Sequence, residues 1–209
     1  MGGSHNQPPR SGEATILKSL CVFCGSSFGT SLAYRQAAER LGEEIARRRI
    51  RLVYGGGRVG LMGVVADGAL SAGGEVLGII PQALRDKEIG HHGLTELRIT
   101  GSMHECKAAM EDASDGFIAL PGGFGTLDEL CEIVTWSQLG IHHKPIGLLD
   151  VNGFFSQLRT FLDFVMVEGF IRAEHRTLLL EDDDPATLLD RMAAWAPSTI
   201  SKWRGAPVP

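Results

Sequence analysis

Short apolar runs alternate with amphipathic stretches from about residue 17 to about residue 195, and this alternation limits the fold more than any other feature of the sequence. In segment 31–48 the apolar side chains recur at close to 3.6 residues, the period of a helix with one buried face. Segments 117–120 and 146–149 are apolar throughout, as expected for strands buried on both faces. Strands that alternate with helices predict an α/β fold with a mostly parallel sheet and helices on both of its faces.

The pattern also predicts the individual elements. We predict strands at residues 17–24, 50–54, 74–80, 94–100, 116–120 and 145–149, the last being the final clear strand. We predict helices at residues 31–48, 60–72, 102–113, 126–139, 154–167 and 185–195. Segment 82–93 is polar and is predicted to be a loop. Ser102 should cap its helix, with Glu105 at the third helical position completing a capping box.

The length of 209 residues suits one domain, which we place at residues 17–196. Residues 1–13 are polar and lack a signal-peptide apolar region, so residues 1–16 are predicted to be a disordered leader on a cytoplasmic protein. Residues 197–209 are predicted to be an irregular tail. The formal net charge of -5 argues against a nucleic acid or an anionic membrane as the main partner. No apolar stretch approaches the ~18 residues that span a membrane.

Two cysteines in the first predicted strand raise the question of metal or redox chemistry. Cys21 and Cys24 form a C-x-x-C pair, but alternation along a strand directs them to opposite faces, which is poor geometry for a shared metal or a disulfide. We therefore expect two buried small hydrophobic side chains. The seven histidines are scattered, and no metal site is predicted.

A first glycine cluster, residues 54–63, follows the second predicted strand and contains Gly55, Gly56 and Gly57 in succession, with Gly60 and Gly63 after them. The glycines there could serve merely to permit a tight turn, but three in a row favour close approach of the backbone to a ligand. The cluster does not follow the first strand, as the usual dinucleotide fingerprint does, and no Gly-Lys-Ser/Thr follows it as in a P-loop. Binding of NAD and hydrolysis of ATP are therefore disfavoured.

A second glycine cluster lies where the fifth predicted strand meets a helix. Gly122, Gly123 and Gly125 leave backbone N–H groups uncovered there, and Thr126 adds a hydroxyl. Free N–H groups at the positive end of a helix dipole form a natural phosphate site. Glu129 lies about one turn further on, where its carboxylate either faces the group attached to the phosphate or only complements the helix dipole.

Several motifs, in order, resemble one known family and span roughly residues 18–195. The chain is similar to the Lonely Guy family, the cytokinin riboside 5′-monophosphate phosphoribohydrolases, long described as lysine decarboxylases. The matching pieces are Cys24-Gly25-Ser26-Ser27, Tyr54-Gly55-Gly56-Gly57 with Gly60-Leu61-Met62-Gly63, Met103-His104, Pro121-Gly122-Gly123-Phe124-Gly125-Thr126 with Glu129, and Thr135-Trp136 with Gln138-Leu139-Gly140.

This resemblance implies a Rossmann-like, doubly wound fold and hydrolysis of the N-glycosidic bond of AMP or its N6-substituted derivatives, which gives a free base and ribose 5-phosphate. It implies no cofactor and no metal, and nothing in the sequence marks a pyridoxal-phosphate lysine. Glu129 is then the catalytic carboxylate. The implied phosphate-binding and other nucleotide-binding residues are Gly122, Gly123, Gly125, Thr126, Glu88, Lys107, Thr135, Gly56, Gly57 and Ser27. A homodimer is also implied, with the segment 136–141 near the shared site.

One position departs from the family motif Met-His-x-Arg-Lys. Cys106 stands where the motif has the arginine that works with the glutamate, and a thiol supplies neither a permanent charge nor a donor fork. Three explanations follow: reduced activity, compensation by Lys107, Arg98 or Arg58, or a protein that only binds a nucleotide or a molybdenum cofactor. A nucleophilic thiolate at Cys106 would need a base, and no histidine is assigned to that role.

Overall fold

A seven-stranded parallel sheet runs through residues 16–196, the part of the chain that the structure, a computed structural model, describes. The predicted leader at residues 1–16, apart from Ile16, and the predicted tail at residues 197–209 lie outside the described residues, as do the side chains of Glu88 and Ile89. The strands are β1 Ser19–Phe23, β2 Arg51–Tyr54, β3 Val76–Pro81, β4 Glu96–Thr100, β5 Phe117–Ala119, β6 Ile146–Leu149 and β7 Leu179–Asp182.

The strand order is β4-β3-β2-β1-β5-β6-β7, and each neighbouring pair is parallel. The predicted Rossmann-like, doubly wound α/β class is confirmed. The helices are α1 Leu32–Arg47, α2 Gly60–Ser71, α3 Gln82–Leu84, a π-helix Arg85–Ile89, α4 Met103–Asp112, α5 Phe124–Leu139, a 3₁₀ turn Val151–Gly153, α6 Ser156–Val167, α7 Ala173–Arg176 and α8 Pro185–Ala193.

Side chains of the central strand alternate between two cores, one on each face of the sheet. Leu20, Val22 and Cys24 belong to the core that packs against α1, α2 and α8. Cys21 and Phe23 belong to the core beneath α4 and α5. The prediction that Cys21 and Cys24 point to opposite faces as buried hydrophobic groups is therefore confirmed.

The cap predicted for α4 is present with one difference. The Ser102 hydroxyl accepts a hydrogen bond from the backbone N–H of Glu105 at 3.1 Å. The Glu105 carboxylate accepts from the N–H of Gly101 at 2.8 Å, one residue before the position that a capping box would use. Both bonds satisfy donors at the helix start, and they fix where α4 begins.

Two sequence predictions are wrong. The predicted loop 82–93 begins with helical turns, α3 and the π-helix, which tertiary contacts hold: Gly57 bridges Gly90, and the N–H of His91 donates to the carbonyl of Gly56 at 2.9 Å. The sheet also does not end at 145–149, because β7 pairs with β6 over four residues. As a half-buried edge strand that ends in two acids, β7 lacks the apolar run of an inner strand.

Within residues 16–196, every helix is too short or too polar to span a lipid bilayer.

Candidate active site at the glycine loops

The candidate site lies where the strand order reverses, at the carboxyl ends of β1 and β5. The chain leaves β1 towards β2, β3 and β4, and returns to pair β5 with the other side of β1. The N–H of Gly25, just after β1, donates to the carbonyl of Pro121, just after β5, at 3.1 Å. Ligands of open α/β sheets bind in the crevice at such a switch point.

The first glycine cluster packs against the protein's own backbone. Gly60 has a φ of 59°, and a Cβ there would lie 2.2 Å from the carbonyl carbon of Ser26. Next to it, the N–H of Leu61 donates to the carbonyl of Gly25 at 2.9 Å. Gly56, with a φ of 68°, is buried with Ile80 at 3.2 Å from where its Cβ would be. Packing accounts for these glycines, and the nucleotide contacts of Gly56 and Gly57 stay a prediction.

The second cluster opens onto space. Helix α5 begins at Phe124, two residues earlier than predicted, and Gly123 is its N-cap without a side-chain cap bond. A Cβ on Gly123 or Gly125 would meet no atom within 4 Å. The first intrahelical bond runs from Leu127 to Gly123, so the amides of the preceding helical residues lack partners within the helix.

Three other helices supply their own side-chain caps, whereas α5, like α2 and α6, has none. The side chains of Ser31, Ser102 and Asp184 accept backbone N–H groups at the starts of α1, α4 and α8. Helix α5 has neither such a cap nor an acidic residue in its first turn. At the start of α5 the missing cap coincides with open space beside Gly123 and Gly125, an arrangement that suits an anion.

Gly122 and Thr126 are packed together beneath the loop. A Cβ on Gly122 would lie 2.1 Å from the Thr126 Oγ1 and 2.9 Å from the Gly25 nitrogen. The Thr126 side chain is buried, so its predicted contact with a phosphate requires the ligand to reach into the loop. A cavity of about 240 Å³ lies on the β1 side of this loop, and Ser27, Gly122 and Gly123 are among its lining residues.

Glu129 lies one turn into α5, and it is half-buried. Burial is the main cause that raises its pKa from 4.5 to about 7; Lys107 lowers the pKa, while Asp128 and Glu132 raise it. The Lys107 Nζ lies 2.7 Å from the Asp128 Oδ2 and 3.1 Å from the Glu132 Oε2. A carboxyl group that titrates near neutral pH can both accept and return a proton, which suits acid–base catalysis.

Cys106 points into the core beneath the first turn of α4. Its Sγ donates to the carbonyl of Ile79 at 3.2 Å, and the side chain is 2% exposed. Burial, followed by the charge of Glu129, raises the pKa of Cys106 to about 11. The group is a thiol at neutral pH, and this argues against a nucleophilic thiolate at this position.

Two other predicted site residues, Thr135 and Glu88, lie outside the first turns of α5. Thr135 is exposed, donates its hydroxyl to the carbonyl of Cys131 at 2.7 Å, and lies about 9 Å along α5 from Glu129. Glu88 belongs to the π-helix, and its side chain is outside the described part of the chain. Among residues 16–196, no group of three or more His, Cys, Asp or Glu side chains could hold a metal ion.

Sequence reasoning missed two residues of this site, Asp128 and Glu132. They lie four residues apart on one side of α5, and both contact the ammonium of Lys107 on α4. Their spacing around Glu129 was the available signal, but only the packing of α4 beside α5 shows which cation they meet.

A doubly wound parallel sheet with an uncapped glycine loop at its switch point defines a Rossmann-like α/β protein, and such a loop suits an anionic ligand. A family model described as "Possible lysine decarboxylase" matches residues 62–192. The chain is 48% identical over 178 residues to a probable cytokinin riboside 5′-monophosphate phosphoribohydrolase of Oryza sativa subsp. japonica, which covers 85% of this chain and 78% of the relative. It is 48% identical over 180 residues to a cytokinin riboside 5′-monophosphate phosphoribohydrolase of Arabidopsis thaliana, covering 86% and 79%. The chain belongs to this family, the Lonely Guy family.

Solved structures share the fold at much lower identity. The molybdenum cofactor binding protein from Rippkaea orientalis has a TM-score of 0.64 at 21% identity, over 85% of this chain and 96% of that chain. The Moco carrier protein from Chlamydomonas reinhardtii has a TM-score of 0.64 at 21% identity, over 84% and 95%. At this identity the likeness shows the fold alone.

Proposed function

We propose that the protein hydrolyses the N-glycosidic bond of AMP or of N6-substituted adenosine 5′-monophosphates, releasing the base and ribose 5-phosphate. The observation that carries this proposal is the position of Glu129, whose pKa is about 7, one turn below the uncapped start of α5. The 5′-phosphate would accept hydrogen bonds from the amides of Gly123, Gly125 and their neighbours. The rise along α5 from Phe124 to Glu129 is about 7.5 Å, which is the scale of a ribose 5-phosphate.

Cleavage of this bond gives the carboxylate a defined task. The C1′–N bond breaks with its electron pair leaving on the base, so positive charge develops on the sugar. An ionised Glu129 stabilises that charge and orients the water that attacks C1′. The proton that the water loses can pass through the carboxylate to solvent or to the departing base, which must gain one proton.

The test is incubation with AMP and with isopentenyl-AMP, followed by chromatography of the released bases, with adenosine as the control. Release from the monophosphates and not from adenosine is expected, because the phosphate anchors the substrate. Equal rates on AMP and adenosine would contradict the proposed binding of the 5′-phosphate at the start of α5. Binding of AMP without release of adenine would instead support the non-catalytic alternative that Cys106 raises.

We also infer that the protein is a homodimer. Helix α6 has no buried residue, although it carries Phe161, Phe164 and Val167 at 60%, 57% and 78% exposure. Phe170 just after it is 86% exposed, and Ile141, at the end of the segment predicted to lie near the partner, is 57% exposed. An apolar surface of this kind marks an interface. Sedimentation should show a dimer that Phe164→Glu dissociates, and a stable monomer at micromolar concentration would contradict the inference.

A further inference from the structure

The departure at Cys106 removes a cation from the site, and three nearby cations were candidates to replace it. Arg98 pairs with Glu96 at 3.2 Å on the edge strand β4, and its side chain is 46% exposed. Arg58 is exposed at the end of the first glycine cluster. Lys107 is the cation whose charge acts on Glu129. Lys107 also differs from the two arginines in its contacts, because it binds two acidic neighbours of Glu129 on α5.

Lys107 is held between the two helices that bound the site. It follows Cys106 in the first half of α4, and its Nζ bridges Asp128 and Glu132 on α5 at 2.7 and 3.1 Å. Its side chain is 15% exposed. Burial opposes its charge, but the hydrogen bonds to Asp128 and Glu132 outweigh this and raise the pKa of Lys107, so the ammonium stays charged.

We propose that Lys107 is the positioning residue of this site: bridging Asp128 and Glu132, it docks α4 on α5 and supplies the positive charge that the motif's arginine would bring to Glu129. This inference rests on the proposed function and assigns Lys107 a task other than direct contact with the nucleotide. An ammonium that already binds two carboxylates has few N–H donors left for a phosphate. The same ammonium lowers the pKa of Glu129, which lies between those two residues in the sequence.

The remaining groups around Glu129 cannot do this. Cys21 and Cys24 at the end of β1 and Cys106 on α4 are buried thiols whose pKa is raised, mainly by burial. Asp128 and Glu132, on its own helix, are acidic and favour the protonated form of Glu129. Removing the ammonium would leave three acidic groups together, and Glu129 would keep its proton to a higher pH.

The test follows the ionisation of Glu129 directly and through the reaction. The Glu129 carboxyl carbon is titrated by ¹³C NMR, and kcat/KM for AMP is measured against pH, in the wild type and in Lys107→Met, Lys107→Arg and Glu132→Gln. Lys107→Met should move the midpoint of both curves upward by about one pH unit. Glu132→Gln should move both downward, because it removes a negative neighbour. Lys107→Arg should restore the wild-type midpoint.

A matched control separates charge from docking. Lys144 is 18% exposed and pairs with Glu111 on the same helix α4 at 2.5 Å, away from Glu129. Lys144→Met removes an equivalent ion pair and should leave both midpoints unchanged. Shifts of the same sign in Lys107→Met and Glu132→Gln, or no shift in either NMR titration, would overturn the inference. Absence of base release by the wild type would overturn the proposed function alone, because the NMR titration still tests Lys107.

Discussion

The two glycine clusters look alike in the sequence and differ in the structure. In the first, the place of a side chain at Gly60 is taken by the backbone of Ser26 and Ser27 at 2.2 and 2.3 Å. In the second, the places beside Gly123 and Gly125 are empty to 4 Å. Gly60 lets the protein's own loops meet, whereas Gly123 and Gly125 leave room for a ligand. Whether a glycine-rich turn serves packing or ligand binding is therefore decided by whether protein atoms fill the space beside its glycines.

Gly60→Ala gives the largest expected effect and tests the structural half of this comparison. The methyl group meets backbone atoms, and the φ of 59° is unfavourable for alanine, so the free energy of unfolding should fall by about 4 kcal/mol. Urea denaturation measures it. Gly73→Ala is the control, since Gly73 has a φ of 77° but no atom within 4 Å, and it should cost only about 1 kcal/mol. Equal losses in the two variants would show that packing is not the reason for Gly60.

Glu129→Gln tests the functional half. Glutamine keeps the shape of the side chain but can neither carry the negative charge nor exchange a proton, so kcat for AMP should fall about 10²–10³-fold. The dissociation constant of AMP, measured by calorimetry, should change little because the amides at the start of α5 are intact. A variant that keeps more than a tenth of the wild-type kcat would remove Glu129 from the catalytic role.

The same substitution should stabilise the fold, with a defined dependence on pH. The pKa of Glu129 is raised from 4.5 to about 7, so between these values the folded chain holds a proton that the unfolded chain has lost. Stability of the wild type therefore decreases as pH rises through this interval and is constant above it. Glu129→Gln avoids this loss and should be more stable by about 3 kcal/mol above pH 7. Thermal or urea denaturation at pH 4 and pH 8 measures the difference, which should be near zero at pH 4.

Gly125→Ala has the smallest expected effect and sharpens the comparison most. The methyl group clashes with nothing in the protein, and alanine favours the helix, so the free energy of unfolding should be unchanged or higher by up to about 1 kcal/mol. The methyl group would occupy space assigned to the phosphate, and KM for AMP should rise about 10-fold. An unchanged KM would mean that the phosphate lies elsewhere.

The sequence predicted best what depends on local pattern. The inner strands, the cap at Ser102 and the opposite directions of Cys21 and Cys24 follow from hydrophobic alternation and short-range hydrogen bonding. β7 was missed because pairing with β6, and not an apolar run, makes it a strand. Contacts from a distant loop through Gly90 hold the π-helix segment, and these are not visible in its own residues.

The same distinction between local pattern and contacts from distant elements applies to the site. Spacing alone placed the second glycine cluster and Glu129 on one helix, as the structure has them. The raised pKa of Glu129 could not be predicted, because it comes from burial against other elements. The bridge from Lys107 to Asp128 and Glu132 joins helices whose packing the sequence does not specify.

The switch point also determines when the site can form during folding. β1 comes early in the chain, but its pairing with β5 must wait until residues 117–119 have been made. The bond from Gly25 to Pro121 closes a long loop, so the chain must first meet the entropy cost of that closure. A nascent chain that ends before residue 117 could form the half of the sheet from β1 to β4, but it would lack the glycine loop of α5. Binding of a nucleotide at this site should therefore appear late in folding. It would indicate that β5 has paired with β1 and that both halves of the sheet have joined.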